Sequence, residues 1–244
     1  MIVLGTREHG QRRRRAVPVM QDTFHKSEWL ESGEDPVLSP TAFLVEQPPN
    51  TTLVPHFHRQ NQFQLFVEGG GTIGRNPLGP VTVHYAGAYT GYGPLVSGPQ
   101  GVKYFTIRPV CESGFVPVAD AGEKLLRGPR RHATAGPIAV PDAATLAALT
   151  AVRQQVLIAP EPDGLAAIVT ELPPGGSVRS QAIPAAQGQF VFVLAGSLEH
   201  EGITLTPWES LFAAADDPAP LLRAGPGGAQ VVMLSTPPRD PAYR

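Results

Sequence analysis

The two halves of this 244-residue chain repeat one succession of short motifs. Each match pairs similar residues at the same spacing, and the three matches follow the same order along the chain. This order indicates two copies of one structural unit of roughly 100 residues each. The matched motifs are VEQPP (45–49) with TELPP (170–174), QFQLFVEG (62–69) with QFVFVLAG (189–196), and TV (82–83) with TL (204–205).

The composition indicates that each unit is built from strands. The chain has 26 glycines and 27 prolines, which stop long helices and interrupt strands. Strand-like runs such as FQLFVEG and VKYFTIRP alternate with turn clusters such as QPPN and GRNPLGP. The two Gln-to-Gly strands are expected to end in turns at Gly69 and Gly196. We therefore predict an all-β fold in which each copy forms a small barrel or jelly roll.

Shifts in composition divide the chain into four segments. The run Arg12 to Arg15 indicates a solvated, poorly ordered start of the chain. A short connecting helix is predicted at 141–152, where Pro and Asp precede a run of Ala and Leu. The predicted segments are an N-terminal arm (1–40), a first barrel with the candidate active site (41–124), an exposed linker (125–140) and a second barrel (141–244).

Charge and cysteine content argue against several classes of protein. The formal net charge of −2 provides no global basic field, so nucleic acid is not expected as a partner. The single Cys111 excludes a multi-cysteine metal site. No apolar run reaches the ~18 residues of a membrane span, and the N-terminus lacks the order of a secretion signal. We therefore expect a cytoplasmic protein whose partner is a small molecule.

Two histidines before the first Gln-Phe strand are the main candidates for chemistry. Residues two apart in an extended strand face the same side, so His56, His58, Gln62 and Gln64 are expected to share one face. Two imidazoles and an amide oxygen that point together could hold a divalent metal ion. The alternative is that both histidines are partly exposed and hydrogen-bonded.

The stretch HFHRQNQFQLFVEGG resembles the first motif of the cupin superfamily. That motif has two histidines two apart, then an acidic residue, then a glycine, and here Gln62 stands in place of the usual Glu. The duplication resembles a bicupin, which implies two tandem jelly-roll barrels. The resemblance also implies a divalent metal held by His56, His58 and Gln62, with iron expected first and manganese, nickel or zinc otherwise.

The chain departs from the cupin pattern at later positions. Ser97 falls where the third histidine ligand of cupins is expected. His84 comes too early to replace that ligand, and we interpret it as a structural surface histidine. In the second copy, the positions that match His56 and His58 fall within 181–185 and contain no histidine, so the second barrel is predicted to be degenerate, without metal ligands.

Aromatic residues near the candidate site indicate an organic ligand. Tyr89, Tyr92 and Tyr104, with Gln64, are predicted to line a cavity and bind a small, partly apolar molecule. Plain core packing is the alternative for the aromatic residues. Lys103 and Arg108 are interpreted as a solvated face of the sheet, with anchoring of an acidic group as the alternative.

The resemblance implies a metal-dependent dioxygenase, an oxidoreductase acting on an aromatic or carboxylate substrate. Its catalytic residues would be His56, His58 and Gln62. One alternative is a non-catalytic bicupin that binds or senses a small molecule and retains a vestigial metal site. A second alternative is an isomerase, lyase or cyclase that uses the same histidines as acid and base. A homodimer is also implied by the resemblance.

Overall fold

The fold is all-β, as predicted. A computed structural model describes residues 1–181, 183 and 185–243. It divides into two compact units, each built around one large antiparallel sheet. The first barrel comprises Glu8–Ile138 with the C-terminal residues from Arg239 onward, and the second comprises Met1–Arg7 with Ala139–Pro238.

Short strands dominate the first part of the chain. Up to residue 138 the elements are β1 (Ile2–Gly5), α1 (Arg7–Arg12), β2 (Arg15–Val19), β3 (Asp22–Leu30), β4 (Thr41–Gln47), β5 (Thr52–Leu53), β6 (His56–Phe57), β7 (Gln62–Ile73), β8 (Asn76–Leu78), β9 (Thr82–Ala86), β10 (Leu95–Arg108), β11 (Val116–Pro117), 3-10 turns at Val118–Asp120 and Gly122–Lys124, and β12 (His132–Ala135).

The second part has the same character. Its elements are α2 (Ala143–Ala147), β13 (Arg153–Ile158), β14 (Ala166–Leu172), β15 (Ser177–Arg179), β16 (Gly188–His200), β17 (Ile203–Leu205), β18 (Ser210–Ala214), β19 (Leu221–Thr236) and a 3-10 turn at Pro241–Tyr243.

The two sheets have matching centres. In the first barrel the strand order is β12-β9-β7-β10-β4-β3-β2, with β5 added to β10 and β8 to β7. In the second barrel it is β1-β18-β16-β19-β14-β13, with β15 added to β19 and β17 to β16. Thus β7 lies between β9 and β10 as β16 lies between β18 and β19. The Gln-Phe strand of each repeat is therefore central in its sheet.

The repeated glycines mark a bulge inside each central strand. The prediction that Gly69 and Gly196 end their strands is wrong, because β7 and β16 continue past them. Both glycines have positive φ, +74° and +72°. A Cβ at Gly69 would lie 2.2 Å from the carbonyl oxygen of Gly101, and one at Gly196 would lie 2.1 Å from that of Gly228. The pairing register shifts here, so each strand bends at its glycine.

Alanine at either bulge glycine should strongly destabilise its barrel. A non-glycine residue at positive φ costs about 1–2 kcal/mol, and the clash with a backbone oxygen adds to that cost. We expect Gly69→Ala and Gly196→Ala to lower the free energy of unfolding in urea by at least about 3 kcal/mol each. The control is Gly175→Ala, since Gly175 has φ +64° but open space around it. An equal decrease in the free energy of unfolding for all three variants would contradict the role assigned to the clash with the backbone oxygen.

The first forty residues do not form a loose arm. Strand β1 pairs with β18 in the second barrel, while β2 and β3 extend the first barrel beside β4. The arginine run is ordered because each guanidinium meets a carboxylate. The pairs are Arg12–Glu8, Arg13–Glu31, Arg14–Glu46 and Arg15–Glu28.

The linker and helix predictions are partly corrected. Residues 132–135 are not linker, because β12 pairs with β9 along its whole length. The connecting helix is present but shorter than 141–152. It begins after Asp142, whose carboxylate accepts a hydrogen bond from the Thr145 N–H at 2.8 Å.

Helices in the described part of the chain are short, and none has the length and apolar character needed to cross a membrane.

Candidate functional site

A cavity of about 440 Å³ lies in the first barrel. Five of the residues predicted for the site line it: His56, His58, Gln64, Tyr92 and Tyr104. Strands β2 and β3, which the sequence placed outside the barrel, contribute to its wall. The cavity therefore coincides with the predicted site but is enclosed by more of the chain than predicted.

The rest of the cavity wall is partly apolar and partly basic. Phe24, Phe43 and Phe115 provide aromatic surface. Lys26 and Arg108 provide positive charge. The Lys26 ammonium lies 3.7 Å from the centre of the Phe43 ring, and it also contacts a carboxylate, that of Glu28, at 3.1 Å. Burial lowers the pKa of Lys26 from its usual value.

A directed chain of hydrogen bonds crosses the predicted metal site. The Arg108 Nε–H donates to Gln62 Oε1 at 3.1 Å, and Gln62 Nε2 donates to the Tyr92 hydroxyl oxygen at 2.6 Å. His56 Nδ1 lies 2.8 Å from the Val54 carbonyl oxygen and must donate to it. His56 Nε2 therefore accepts, and the Tyr92 O–H donates to it at 2.8 Å.

Arg108 also holds the second histidine. Its Nη2 donates to His58 Nδ1 at 2.9 Å, and its Nη1 donates to the Glu112 carbonyl oxygen at 2.6 Å. The His58 ring makes a further hydrogen bond to the main chain of Gly114. Arg108 is only 2% exposed, and its direct hydrogen-bond acceptors are neutral. The Glu112 carboxylate lies nearby, 4.0 Å from His58 Nδ1, where it accepts hydrogen bonds from the main-chain N–H groups of Arg59 and Gln60.

Burial keeps the two histidines and the tyrosine beside Arg108 uncharged near pH 7. It lowers the pKa of His56 to about 4 and the pKa of His58 well below its usual value, and the Arg108 charge adds to both effects. Burial also raises the pKa of the Tyr92 hydroxyl. The guanidinium of Arg108 is consequently the positive charge of this cluster.

These residues do not fit a divalent metal ion as they are arranged. The lone pairs of His56 Nε2, His58 Nδ1 and Gln62 Oε1 already accept hydrogen bonds from this chain's own donors. An ion beside them would also face the Arg108 guanidinium, which repels it. Among the residues described, no group of three or more His, Cys, Asp or Glu side chains could hold a metal. The predicted metal and its ligand set remain predictions.

The sequence interpretation placed Arg108 on a solvated face of the sheet, with the anchoring of an acidic group as its alternative. Arg108 is fully enclosed, so the expectation of a solvated face is wrong for this residue. Lys103 does lie on the outside, where it pairs with Glu68 at 2.7 Å. The signal was available in the strand alternation, because Arg108 is four residues from Tyr104 on β10 and so faces the same side.

Two other residues lie elsewhere than predicted. Tyr89 is outside the cavity wall and packs between Phe57 and Tyr243, with ring centres 5.9 and 4.8 Å away. His84 is buried, so its assignment as a surface histidine is wrong. The cause is β12, which covers β9 and places the Thr134 hydroxyl 2.8 Å from His84 Nδ1.

Ser97, which departs from the cupin pattern, makes hydrogen bonds away from the two histidines. Ser97 hydrogen-bonds to Thr51 rather than to either histidine, and the Tyr92 hydroxyl instead reaches His56. In the second barrel, two of the positions 181–185 lie outside the described residues, namely 182 and 184. The absence of metal ligands from that barrel therefore stays a prediction.

No protein-family model matches the chain, and no curated protein matches it. Solved structures do match it along almost its whole length. A cupin 2 conserved barrel domain protein from Leptotrichia buccalis is 13% identical with a TM-score of 0.52, covering 90% of this chain and 92% of that one.

Two further matches were solved with metal ions. The bacterial pirin of Escherichia coli, in complex with nickel(II), is 15% identical with a TM-score of 0.53, over 98% of this chain and 100% of that one. HEPD from Streptomyces albus, with 2-hydroxyethylphosphonate and Fe(II) bound, is 9% identical with a TM-score of 0.58, over 97% and 76%. At such identities the similarity concerns the fold. The chain thus has the cupin fold, in two tandem barrels.

Proposed function

We propose that the first barrel binds a small organic acid and does so without a metal ion. The observation that carries this proposal is the buried guanidinium of Arg108, hydrogen-bonded to Gln62 and His58 where a cupin metal is expected. The nearby Glu112 carboxylate accepts hydrogen bonds from the main-chain N–H groups of Arg59 and Gln60, while the direct acceptors of Arg108 are neutral. A buried guanidinium is costly unless an anion also bonds to it directly. A ligand carboxylate is the simplest such anion.

The cavity suits an acid with an apolar body. The Arg108 guanidinium has five N–H donors, and its hydrogen bonds leave at least one of them for a ligand. Lys26 can contribute a second positive group. Phe24, Phe43 and Phe115 offer aromatic surface, and about 440 Å³ is a normal volume for a small-molecule site.

The same geometry favours binding over acid–base turnover. An imidazole whose pKa is about 4, such as His56, is a weak base near pH 7. Tyr92, whose pKa is raised by burial, is a correspondingly weak acid. The isomerase, lyase or cyclase alternative therefore has less support than a binding or sensing role.

A metal-dependent dioxygenase is the second candidate. Its support is the convergence of His56, His58 and Gln62 in one cluster at the cupin-motif spacing, in a fold that the nickel-bound pirin and Fe(II)-bound HEPD share. Such an enzyme would act on an aromatic or carboxylate substrate. It would require Arg108 and Tyr92 to leave their present hydrogen bonds.

A comparison of benzoate with its neutral isostere benzamide tests the proposed function. We expect benzoate, but not benzamide, to bind protein purified without a metal-affinity tag, as measured by calorimetry. Lys26→Met should weaken benzoate binding about tenfold, the worth of one charge-assisted hydrogen bond. The matched control is Lys103→Met, because Lys103 lies outside the cavity. Equal binding of the two probes would contradict the proposal.

A further inference from the structure

One row of polar side chains inside the first barrel is not used by the Arg108 cluster. The strand register places Gln64 opposite Thr106 on one side and opposite His84 on the other. His84 is in turn opposite Thr134. Directly paired residues point to the same face of a sheet, so four polar side chains form a row across β10, β7, β9 and β12. Gln64 and Thr106 line the cavity.

Two atoms of this row lack hydrogen-bond partners. They are Gln64 Oε1 and His84 Nε2, both buried, in side chains that are 2% and 3% exposed. The other ring nitrogen of His84 is satisfied by Thr134. Buried polar atoms without partners destabilise a protein, and their persistence calls for a reason.

The second barrel shows that the fold does not require polar residues here. Gln189, the counterpart of Gln62, is opposite Ser235, so the next row inward is Met233, Val191 and Leu211. All three belong to the apolar core of that barrel. The corresponding row of the first barrel carries Thr106, Gln64 and His84 instead. The polar row is therefore specific to the barrel that contains the cavity.

We propose that Gln64 binds a hydroxyl group of the ligand, which makes the ligand a hydroxy acid; this inference rests on the proposed function. A hydroxyl group can donate to Gln64 Oε1, which lacks a partner in a side chain that lines the cavity. His84, opposite Gln64 in the register, is not part of the cavity wall. Gln64 is two residues from Gln62 along β7, a spacing of about 7 Å. We therefore expect the hydroxyl to be separated from the carboxylate by the apolar body of the ligand.

The test compares 4-hydroxybenzoate with benzoate by calorimetry on the full chain. We expect wild type to prefer 4-hydroxybenzoate about tenfold, the worth of one hydrogen bond to a previously unpartnered buried group. Gln64→Leu should remove the preference, because it deletes the acceptor proposed for the hydroxyl group. The matched control is Gln189→Leu in the second barrel, which should retain the preference.

The possible failures are distinguishable. If both probes bind wild type equally, the hydroxyl subsite is wrong and an enclosed water satisfies the row, while the acid site stands. If neither probe binds, the acid site fails and the subsite fails with it. Thermal unfolding provides a second readout, because Gln64→Leu should raise Tm of the ligand-free protein if Gln64 is retained for binding. A lower Tm would instead assign Gln64 to structure.

Discussion

Replacing Arg108 by methionine is expected to exchange one ligand for another in the first barrel. Removal of the guanidinium takes away the charge that pairs with a carboxylate, so benzoate affinity should fall at least tenfold. It also frees the lone pairs of Gln62 Oε1 and His58 Nδ1, which Arg108 now occupies. We therefore expect Arg108→Met to bind nickel(II) or zinc(II) at about one ion per chain, whereas wild type does not.

Calorimetric titration with each metal checks this exchange. The control is Arg75→Met, since Arg75 lies exposed in the turn between β7 and β8 and its loss should change neither ligand. The double variant Arg108→Met with His56→Ala should lose the gained metal. A wild-type protein that binds one metal ion as tightly as Arg108→Met would contradict the assigned role of the guanidinium.

Acid should unfold the protein at an unusually mild pH. Burial lowers the pKa of His56 to about 4 and of His84 to about 3, and lowers the pKa of His58 as well. Between these values and about 6.5, the unfolded chain binds protons that the folded chain does not. Stability is therefore complete above about pH 6.5 and is lost as the pH falls toward the folded pKa values.

The size of this effect is comparable with the total stability of a domain. Each such imidazole contributes at most about 1.4 kcal/mol per pH unit, so His56 and His84 together remove roughly 3–4 kcal/mol between pH 6.5 and 5, and the lowered pKa of His58 adds to this loss. Urea unfolding at pH 7 and pH 5 measures the loss. His84→Leu should reduce this loss, because it removes one of the buried imidazoles. Equal stability at both pH values would contradict the burial of neutral histidines.

The duplicated motifs were sufficient to predict the fold. Matched Gln-Phe strands and Pro-Pro turns identify two equivalent units, and both strands are central in their sheets. The bulge glycines explain why both copies have glycine at this position. A side chain at Gly69 or Gly196 would place its Cβ too close to a backbone oxygen. Local patterns of this kind are visible in sequence because each depends on a short segment.

Pairings between distant segments were not predictable in this way. Strand β1 joins the second barrel through β18, and β12 covers β9, although nothing in their own sequences marks these partners. The same limit explains the misassignment of His84, whose burial depends on β12. The Arg12 to Arg15 run has the composition of a solvated arm, but it pairs with carboxylates that are distant in sequence, at Glu28, Glu31 and Glu46, and Arg15 belongs to a paired strand.

The structure brings the residues of the histidine motif together, but the motif did not indicate the charge beside them. His56, His58 and Gln62 converge as the spacing predicts. The positive charge beside Gln62 and His58 in this structure is the Arg108 guanidinium on β10. A motif reports the residues that could bind an ion, whereas the hydrogen bonds decide whether their lone pairs remain available.

Titration of metal-stripped wild-type protein with benzoate tests the central claim most directly. The purified protein is dialysed against a chelator and divided into two samples, one of which is then supplied with Fe(II) or nickel(II). We predict the same benzoate affinity in both samples, because Arg108 provides the positive charge. Benzoate binding that appears only after metal is added would contradict the account.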